Sequence, residues 1–247
     1  MKKIPVSVFI ITKNEEKNIQ RCLESVNFFE EIIIVDSGSV DATLQIAKYY
    51  NNVKIYHQEW LGFAKQKQFA LEKCIQPWVL NLDADEEISE DAVNFIVKTI
   101  NENKFDGIEF AMCNYFCNKK PHPWSANMKK IRFAKRNKVK YDTQKTVHES
   151  MQIDGKIIKT ATKIYHYGEN SIHTLIEKIN NYSSLRTQNK KKIKFATIQG
   201  CLAFVISFIK SYIIKRNFLN GQSGFVVSFI LSFYAFLKKV KTLESDV

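Results

Sequence analysis

Over the first 110 residues, short dense apolar runs alternate with stretches of helical spacing. Residues 6–12 (Val-Ser-Val-Phe-Ile-Ile-Thr) are almost continuously β-branched or aromatic, which predicts a strand buried on both faces. Residues 32–35 repeat the pattern and end on Asp36, and further strands are predicted over 53–57 and 78–82. Helices are predicted over about 15–26, 63–74 and 88–100, the last with Val93, Ile96, Val97 and Ile100 on one face. Asn14 and Ser39 stand where helix N-caps are expected, with Asp41 in a first turn, where the helix dipole favours an acid. This alternation predicts a parallel α/β sheet covered by helices on both faces.

Beyond the run 108–113 the pattern changes. Residues 114–125 read as a loop carrying Pro121, Pro123 and Trp124, and short strands are predicted over 130–134 and 157–165. An amphipathic helix follows through Ile172, Leu175, Ile176, Ile179 and Tyr182. Two apolar stretches, 196–209 and 225–237, close the chain. As helices they reach only about 20 Å each, short of the ~30 Å hydrocarbon core of a bilayer. Lys190, Lys191, Lys192 and Lys194 precede them, Lys210, Lys215 and Arg216 lie between, and Lys238, Lys239 and Lys241 follow. Aromatic-rich helices framed by cations predict an interfacial element resting on an anionic leaflet, with a core-packing helical cap or a re-entrant hairpin as the alternatives.

Charge sharpens this division. The 247 residues are 45% hydrophobic and 25% charged with a net charge of +12, which excludes a disordered chain and a polytopic membrane protein. Residues 1–110 carry 12 Lys+Arg against 18 Asp+Glu, whereas residues 111–247 carry 25 against 7. The excess cations flank apolar stretches instead of interleaving with exposed aromatics, so a nucleic-acid surface is disfavoured. The apolar run after Met1-Lys2-Lys3 is too short for a signal-peptide core, and five scattered cysteines favour a reduced cytoplasmic setting. Cys113, Cys117 and His122 form only a weak metal pattern, with a strand edge and its loop the favoured reading.

In open α/β sheets, ligands bind at the carboxyl ends of the strands. Three such ends here are polar: Thr12-Lys13-Asn14-Glu15-Glu16, Asp36-Ser37-Gly38-Ser39-Val40-Asp41 and Asp83-Ala84-Asp85-Glu86-Glu87. Clustered carboxylates repel one another and call for a cation or for donor groups on a ligand. Asp83 and Asp85, two apart on a turn leaving a buried strand, suit Mg²⁺ or Mn²⁺ on the phosphates of a nucleotide. Glu86 and Glu87 have a plainer reading as first-turn dipole partners of the following helix. Asp36 suits a uracil N–H or a ribose hydroxyl. Neither a G-x-G-x-x-G nor a P-loop pattern occurs, which disfavours a dinucleotide oxidoreductase and a P-loop NTPase.

The runs 6–16, 31–43 and 78–86 resemble those of family 2 glycosyltransferases, in particular the lipopolysaccharide and lipooligosaccharide core β-glucosyltransferase-like subgroup. Similar too are Trp60-Leu61-Gly62-Phe63-Ala64-Lys65-Gln66-Lys67, Val147-His148-Glu149 and the pattern from Arg216 to Phe225. The resemblance implies a GT-A fold over residues 1–170, a helical membrane- and acceptor-docking region over 171–247, and a UDP-sugar donor, expected to be UDP-glucose. It also implies a divalent metal, Mn²⁺ or Mg²⁺, inversion at the anomeric carbon, and a lipid-linked oligosaccharide acceptor at the cytoplasmic face of the inner membrane.

By the same resemblance Asp36 contacts the nucleoside, with Thr12, Asn14 and Glu15 in the neighbouring loop, and Asp83 and Asp85 hold ribose, metal and diphosphate. Glu149 is the expected base, oriented by His148, with Asp142 in reserve; the plain alternative is a loop carboxylate paired with lysine. His166 is expected near diphosphate or metal, or as a core histidine. Lys65, Gln66 and Lys67 are expected at donor phosphates or on a solvated helix face, and Arg132 at donor or acceptor. Two departures stand out. Gln68 replaces a common Asn, and Pro121-His122-Pro123-Trp124, followed by Ala126 and Asn127, replaces a glycine-rich acceptor-side loop with a nearby acid.

Overall fold

The computed structural model describes residues 3–125, 128–142, 150–169, 171–187 and 191–244. The chain divides into two units, Met1–Cys113 with Met128–His166, and Asn114–Asn127 with Tyr167–Val247.

The first unit is built on β1 (Ile4–Thr12), α1 (Ile19–Glu24), β2 (Phe29–Asp36), α2 (Thr43–Ala47), β3 (Val53–His57), α3 (Phe63–Lys73) and β4 (Trp78–Asp83). Then come β5 (Glu86–Ile88), α4 (Glu90–Glu102), β6 (Gly107–Phe116), β7 (Lys129–Lys135), β8 (Val139–Lys140), β9 (Gln152–Ile153) and β10 (Ile157–Glu169). The main sheet has the order β3-β2-β1-β4-β7-β6-β10-β5. Successive side chains of β1 serve opposite faces: Val6, Val8 and Ile10 pack with Leu23, Ile34, Leu80 and Ile96, while Phe9 and Ile11 pack with Ile33, Val35, Leu71 and Val79. Burial on both sides is why these strands read as continuous apolar runs.

Three expectations need correcting. The sheet is parallel from β3 to β4 but antiparallel at β4–β7, β7–β6 and β10–β5. The reason is the connection: β6 and β7 are joined by the loop 117–128, and only an antiparallel pair closes without a crossover element. The helix predicted from residue 15 begins at Ile19. Asn14 lies in the left-handed region (φ 56°) instead of capping, and Ser39 does not cap α2 either, since that helix starts at Thr43 after Ala42 and leaves Asp41 before its first turn. The N–H groups of Asn14, Glu15 and Glu16 donate to Ser39 Oγ (2.9 Å), Thr43 Oγ1 (2.7 Å) and Asp41 Oδ2 (3.1 Å), stitching the β1–α1 loop to the β2–α2 loop. Finally, Glu86 and Glu87 belong to β5, not to a first helical turn. α4 starts at Glu90, capped by Ser89 and with Glu90 and Asp91 as its dipole partners.

The second unit holds α5 (Ile172–Thr187), α6 (Ala196–Phe208), a π-helical continuation Ile209–Ile214, and α7 (Gly221–Val240). The apolar stretches thus extend into longer helical spans, Ala196–Ile214 and Asn217–Glu244. By length and composition these are sufficient to cross a membrane, so the ~20 Å expectation is superseded.

Candidate functional site

Sheet register assembles the site. Thr12 pairs with Asp36, and Ile11 with Asp83, so the polar ends of β1, β2 and β4 lie side by side at the carboxyl edge of the parallel strands. On the antiparallel side, β10 places His166 opposite Glu86. The motifs of three distant segments therefore converge because of strand pairing alone.

Asp36 is buried and folds back into its own loop. One carboxylate oxygen accepts from the N–H groups of Gly38 (2.8 Å) and Ser39 (2.9 Å), and the other accepts from Ser39 Oγ. Gly38 takes the φ of +89° that this turn needs, which a residue with a Cβ adopts only with strain. Asn14 Oδ1 accepts from Val40 N (2.9 Å) and so holds the loop from the other side. Beside them, Thr12 Oγ1 is buried with no hydrogen-bond partner among the described residues. Glu15 is half-buried; burial raises its carboxyl above the ordinary range, a hydrogen bond from Asn18 opposes this, and the nearby Asp85, Asp41 and Asp83 add to the rise.

Asp83 is flanked by cations. Lys67 Nζ lies 2.9 Å from Oδ1, and Arg132 Nη2 donates to Oδ2 at 2.7 Å. Arg132 also donates to Glu86 and, through Nη1, to Asn81 Oδ1 (3.0 Å). Burial disfavours charge on Asp83, but Arg132 and Lys67 outweigh it and hold the carboxyl well below its usual value. Glu86 is buried more deeply; desolvation raises its carboxyl although Arg132 pulls the other way. Lys67 is thus a buried partner of Asp83, whereas Lys65, one turn-step away on α3, is exposed. The phosphate role and the solvated-face role expected for the two lysines fall on residues with different surroundings.

Asp85 and His166 form the second charged group. His166 Nε2 is 3.3 Å from Asp85 Oδ2, and both side chains keep about a fifth of their surface exposed, 20% and 18%. Burial opposes a proton on His166, but the hydrogen bond to Asp85 and the charges of Asp85, Glu86 and Asp83 raise its pKa. A part-exposed carboxylate beside an imidazole would suit Mn²⁺ better than Mg²⁺, which takes oxygen ligands; a diphosphate and water would fill the remaining positions. Asp83 is already neutralised, and among the described residues no third His, Cys, Asp or Glu completes a cluster.

Among the expected site residues, Thr12, Asn14, Glu15, Asp36, Lys67, Asp83, Asp85, Arg132 and His166 cluster at the strand ends or in the loops stitched to them. Asp142 follows the buried Tyr141 at the end of a described segment. His148 and Glu149 lie outside the described residues, as do Ala126 and Asn127. The five cysteines form no disulfide, and Cys113, Cys117 and His122 form no metal cluster among the described residues.

Sequence reading missed three supports. Asn81 bridges Phe9 O (3.2 Å), Arg132 and the Tyr141 hydroxyl (3.2 Å). Glu86 accepts from Asp83 N (3.1 Å). Gln66, fully buried, donates to Ser37 Oγ (3.0 Å) and Gln58 O (2.9 Å). Asn81 had a signal, as the one polar position in an otherwise apolar strand. Gln66 had none for this buried role.

Known proteins match this architecture. A model of glycosyl transferase family 2 matches residues 7–155. An uncharacterised glycosyltransferase of Rickettsia typhi is 36% identical, the match covering 99% of this chain and 88% of the relative. The lipopolysaccharide core biosynthesis glycosyltransferase LpsC of Rhizobium meliloti is 31% identical over 98% of this chain and 93% of its own. Among solved structures, S. aureus TarS 1–349 superposes with a TM-score of 0.53 at 17% identity, covering 96% of this chain and 91% of that one. The same fragment in complex with UDP-GlcNAc gives 0.53 at 18%, covering 96% and 82%. The strand-end carboxylates thus sit on a GT-A fold, and the chain belongs to glycosyl transferase family 2.

Proposed function

We propose that this chain transfers a hexose, glucose from UDP-glucose, to a lipid-linked core oligosaccharide by a single displacement with inversion, at the cytoplasmic face of the inner membrane. The observation that carries the reading is the register that sets Thr12, Asp36 and Asp83 side by side, with Asp85 and His166 just beyond. Near-full-length similarity to LpsC supports the acceptor class, and the UDP-GlcNAc complex of TarS, which shares the fold, supports a UDP-sugar donor.

In this reading the loop built by Asp36, Ser39 and Asn14 receives the nucleoside, and Thr12 Oγ1 supplies an unspent hydroxyl there. Asp83, fixed by Lys67 and Arg132, faces the ribose. Asp85 and His166 hold the divalent cation, which supplies charge neutralisation on the departing diphosphate. Glu149 takes the proton of the acceptor hydroxyl as that oxygen bonds to the anomeric carbon; the bond from this carbon to the diphosphate breaks, and its electron pair leaves with UDP. Asp142 is the second candidate for the base.

Titration calorimetry with UDP-glucose and Mn²⁺ tests the donor site. Binding is expected for the parent and reduced by more than about 100-fold in Asp85→Ala; equal binding by the variant sinks the assignment. Glu149→Gln is expected to lower turnover by about 10²–10⁴-fold with donor affinity unchanged, and near-normal turnover transfers the role to Asp142.

A further inference from the structure

The α6–α7 hairpin is polar inside and apolar outside. Counting 100° per residue, α7 presents three successive faces. The first, Gly224, Ser228 and Ser232, is buried. Ser211 Oγ on the π-helical continuation donates to Ser228 Oγ (3.0 Å), and Asn217 Nδ2 reaches Ser211 Oγ (3.1 Å) and Ser228 Oγ (3.3 Å). A Cβ at Gly224 would lie 1.8 Å from the Asn217 carbonyl oxygen, and one at Gly200 would lie 2.8 Å from the Phe236 ring, so small residues set the close approach. The second face, Phe225, Phe229 and Phe233, is 40–48% exposed. The third, Val226, Ile230, Tyr234 and Leu237, packs on Phe116, Leu175 and Ile179.

The exposed face continues onto the first helix. Ile198, Leu202, Val205, Ile206, Ile209 and Ile213 recur at helical spacing there with 46–65% exposure. Ring contacts Phe204–Phe229 (5.2 Å) and Phe208–Phe225 (5.6 Å) tie the phenylalanine face of α7 to a flank of α6 beside that stripe. In water this arrangement is inverted: hydroxyls are hidden and large apolar side chains displayed. Hydrocarbon favours that inversion, because polar side chains then pair between helices through small-residue contacts.

We infer that this hairpin lies in the plane of an anionic bilayer, its Phe229/Ile206 face immersed among the acyl chains rather than resting on the headgroups. The inference rests on the membrane-facing reading above. Two features choose the occupant and the orientation. Between Lys178 and Thr242 there are 12 Lys and Arg and no acid. Nine of them flank the hairpin's ends, Lys191, Lys192, Lys194, Lys238, Lys239 and Lys241 at one and Lys210, Lys215 and Arg216 at the other, which complements anionic headgroups. Against spanning, α5 packs along the third face of α7 and is pinned at its end by Lys241, which donates to Asn180 Oδ1 (2.7 Å) and Ser184 Oγ (2.7 Å). α5 exposes His173 and Glu177, which a transverse hairpin would carry into hydrocarbon. At the turn, Asn220 Oδ1 accepts from His122 N (2.6 Å), fixing a loop whose Trp124 is 73% exposed, a side chain suited to the headgroup level.

The test uses the full chain and vesicles of equal parts phosphatidylcholine and phosphatidylglycerol. Flotation is expected to persist at about 1 M salt, where charges are screened within about 3 Å. Phe229→Asp combined with Ile206→Asp is expected to weaken it more than tenfold, with the circular dichroism spectrum unchanged. Ile198→Trp, Ile213→Trp and Phe229→Trp should each add fluorescence quenched to one common depth by brominated lipids. A depth that changes from 198 to 213 overturns the in-plane placement, and loss of flotation at high salt overturns immersion. A non-floating dimer that the two Asp substitutions make monomeric assigns the face to a second copy instead. UDP-glucose binding measured on the same preparations separates the cases: absent binding by an immersed protein sinks the catalytic reading alone.

Discussion

The two units put similar apolar side chains to opposite uses. In the first, Phe9, Ile34, Leu80 and Phe133 have no exposed surface, and the buried Arg132 is paired with Asp83 and Glu86. In the second, Ile206 and Phe229 are 65% and 48% exposed while Ser228 and Ser232 are fully buried. The difference teaches that apolar content does not say where a residue goes; the solvent against which the segment folds does. The first unit is organised against water, and its charges sit where a ligand completes them. In the placement inferred above, the hairpin meets an apolar medium, which favours hydroxyls turned inward.

The largest effect expected from breaking that contrast is at Arg132. Arg132→Met removes the shared partner of the buried Glu86 and the partly exposed Asp83 and is expected to cost about 3–5 kcal/mol in chemical denaturation. A loss below 1 kcal/mol would show that Asp83 and Glu86 do not depend on it. Next comes a matched pair. Leu80→Ala empties a fully buried site and should cost about 2–5 kcal/mol, whereas Ile206→Ala in vesicle-free solution should stay within about 0.5 kcal/mol. Equal losses would mean that the hairpin face is covered by protein.

A further effect, smaller than those at Arg132 and Leu80, concerns the opposite edge of the same sheet. Glu31 accepts from Ser7 Oγ, Lys54 Nζ (2.8 Å) and Ile75 N (3.0 Å). Burial alone would raise its carboxyl, but the bonds from Lys54, Ser7 and Ile75 win and leave it below its ordinary value of 4.5. The folded state therefore binds its proton less readily than the unfolded chain. The resulting stability is present above the ordinary value and is lost as pH falls through the folded pKa. Glu31→Gln is expected to cost about 1.5–3 kcal/mol at neutral pH and less at pH 3, with turnover retained. A gap that does not narrow in acid refutes this account.

Much of the site was legible before any coordinates. Asp36, Asp83 and Asp85 stand at the ends of apolar runs, and such ends meet a ligand in open α/β sheets. The helix starts were less legible, because Asn14 looks like a cap yet its backbone N–H is spent on Ser39, 25 residues away. Glu86 resembled a dipole partner until β10 paired with it and set His166 opposite. Lys65 and Lys67 are alike as letters, and only helix phase separates the exposed side chain from the one buried on Asp83.

Alone, the sequence determined the alternation of strands and helices, the two-faced burial of β1 and β2, and the reversal from an acidic front to a cationic, apolar end. Each follows from side-chain period and composition, which act over a few residues. The tertiary structure decided which charges meet. Arg132 reaches Asp83 across 49 positions and Glu86 across 46, and Ser211 meets Ser228 inside a hairpin whose outer face is apolar. Such pairings depend on strand order and helix packing, because a buried polar group must find its partner wherever the fold brings one near.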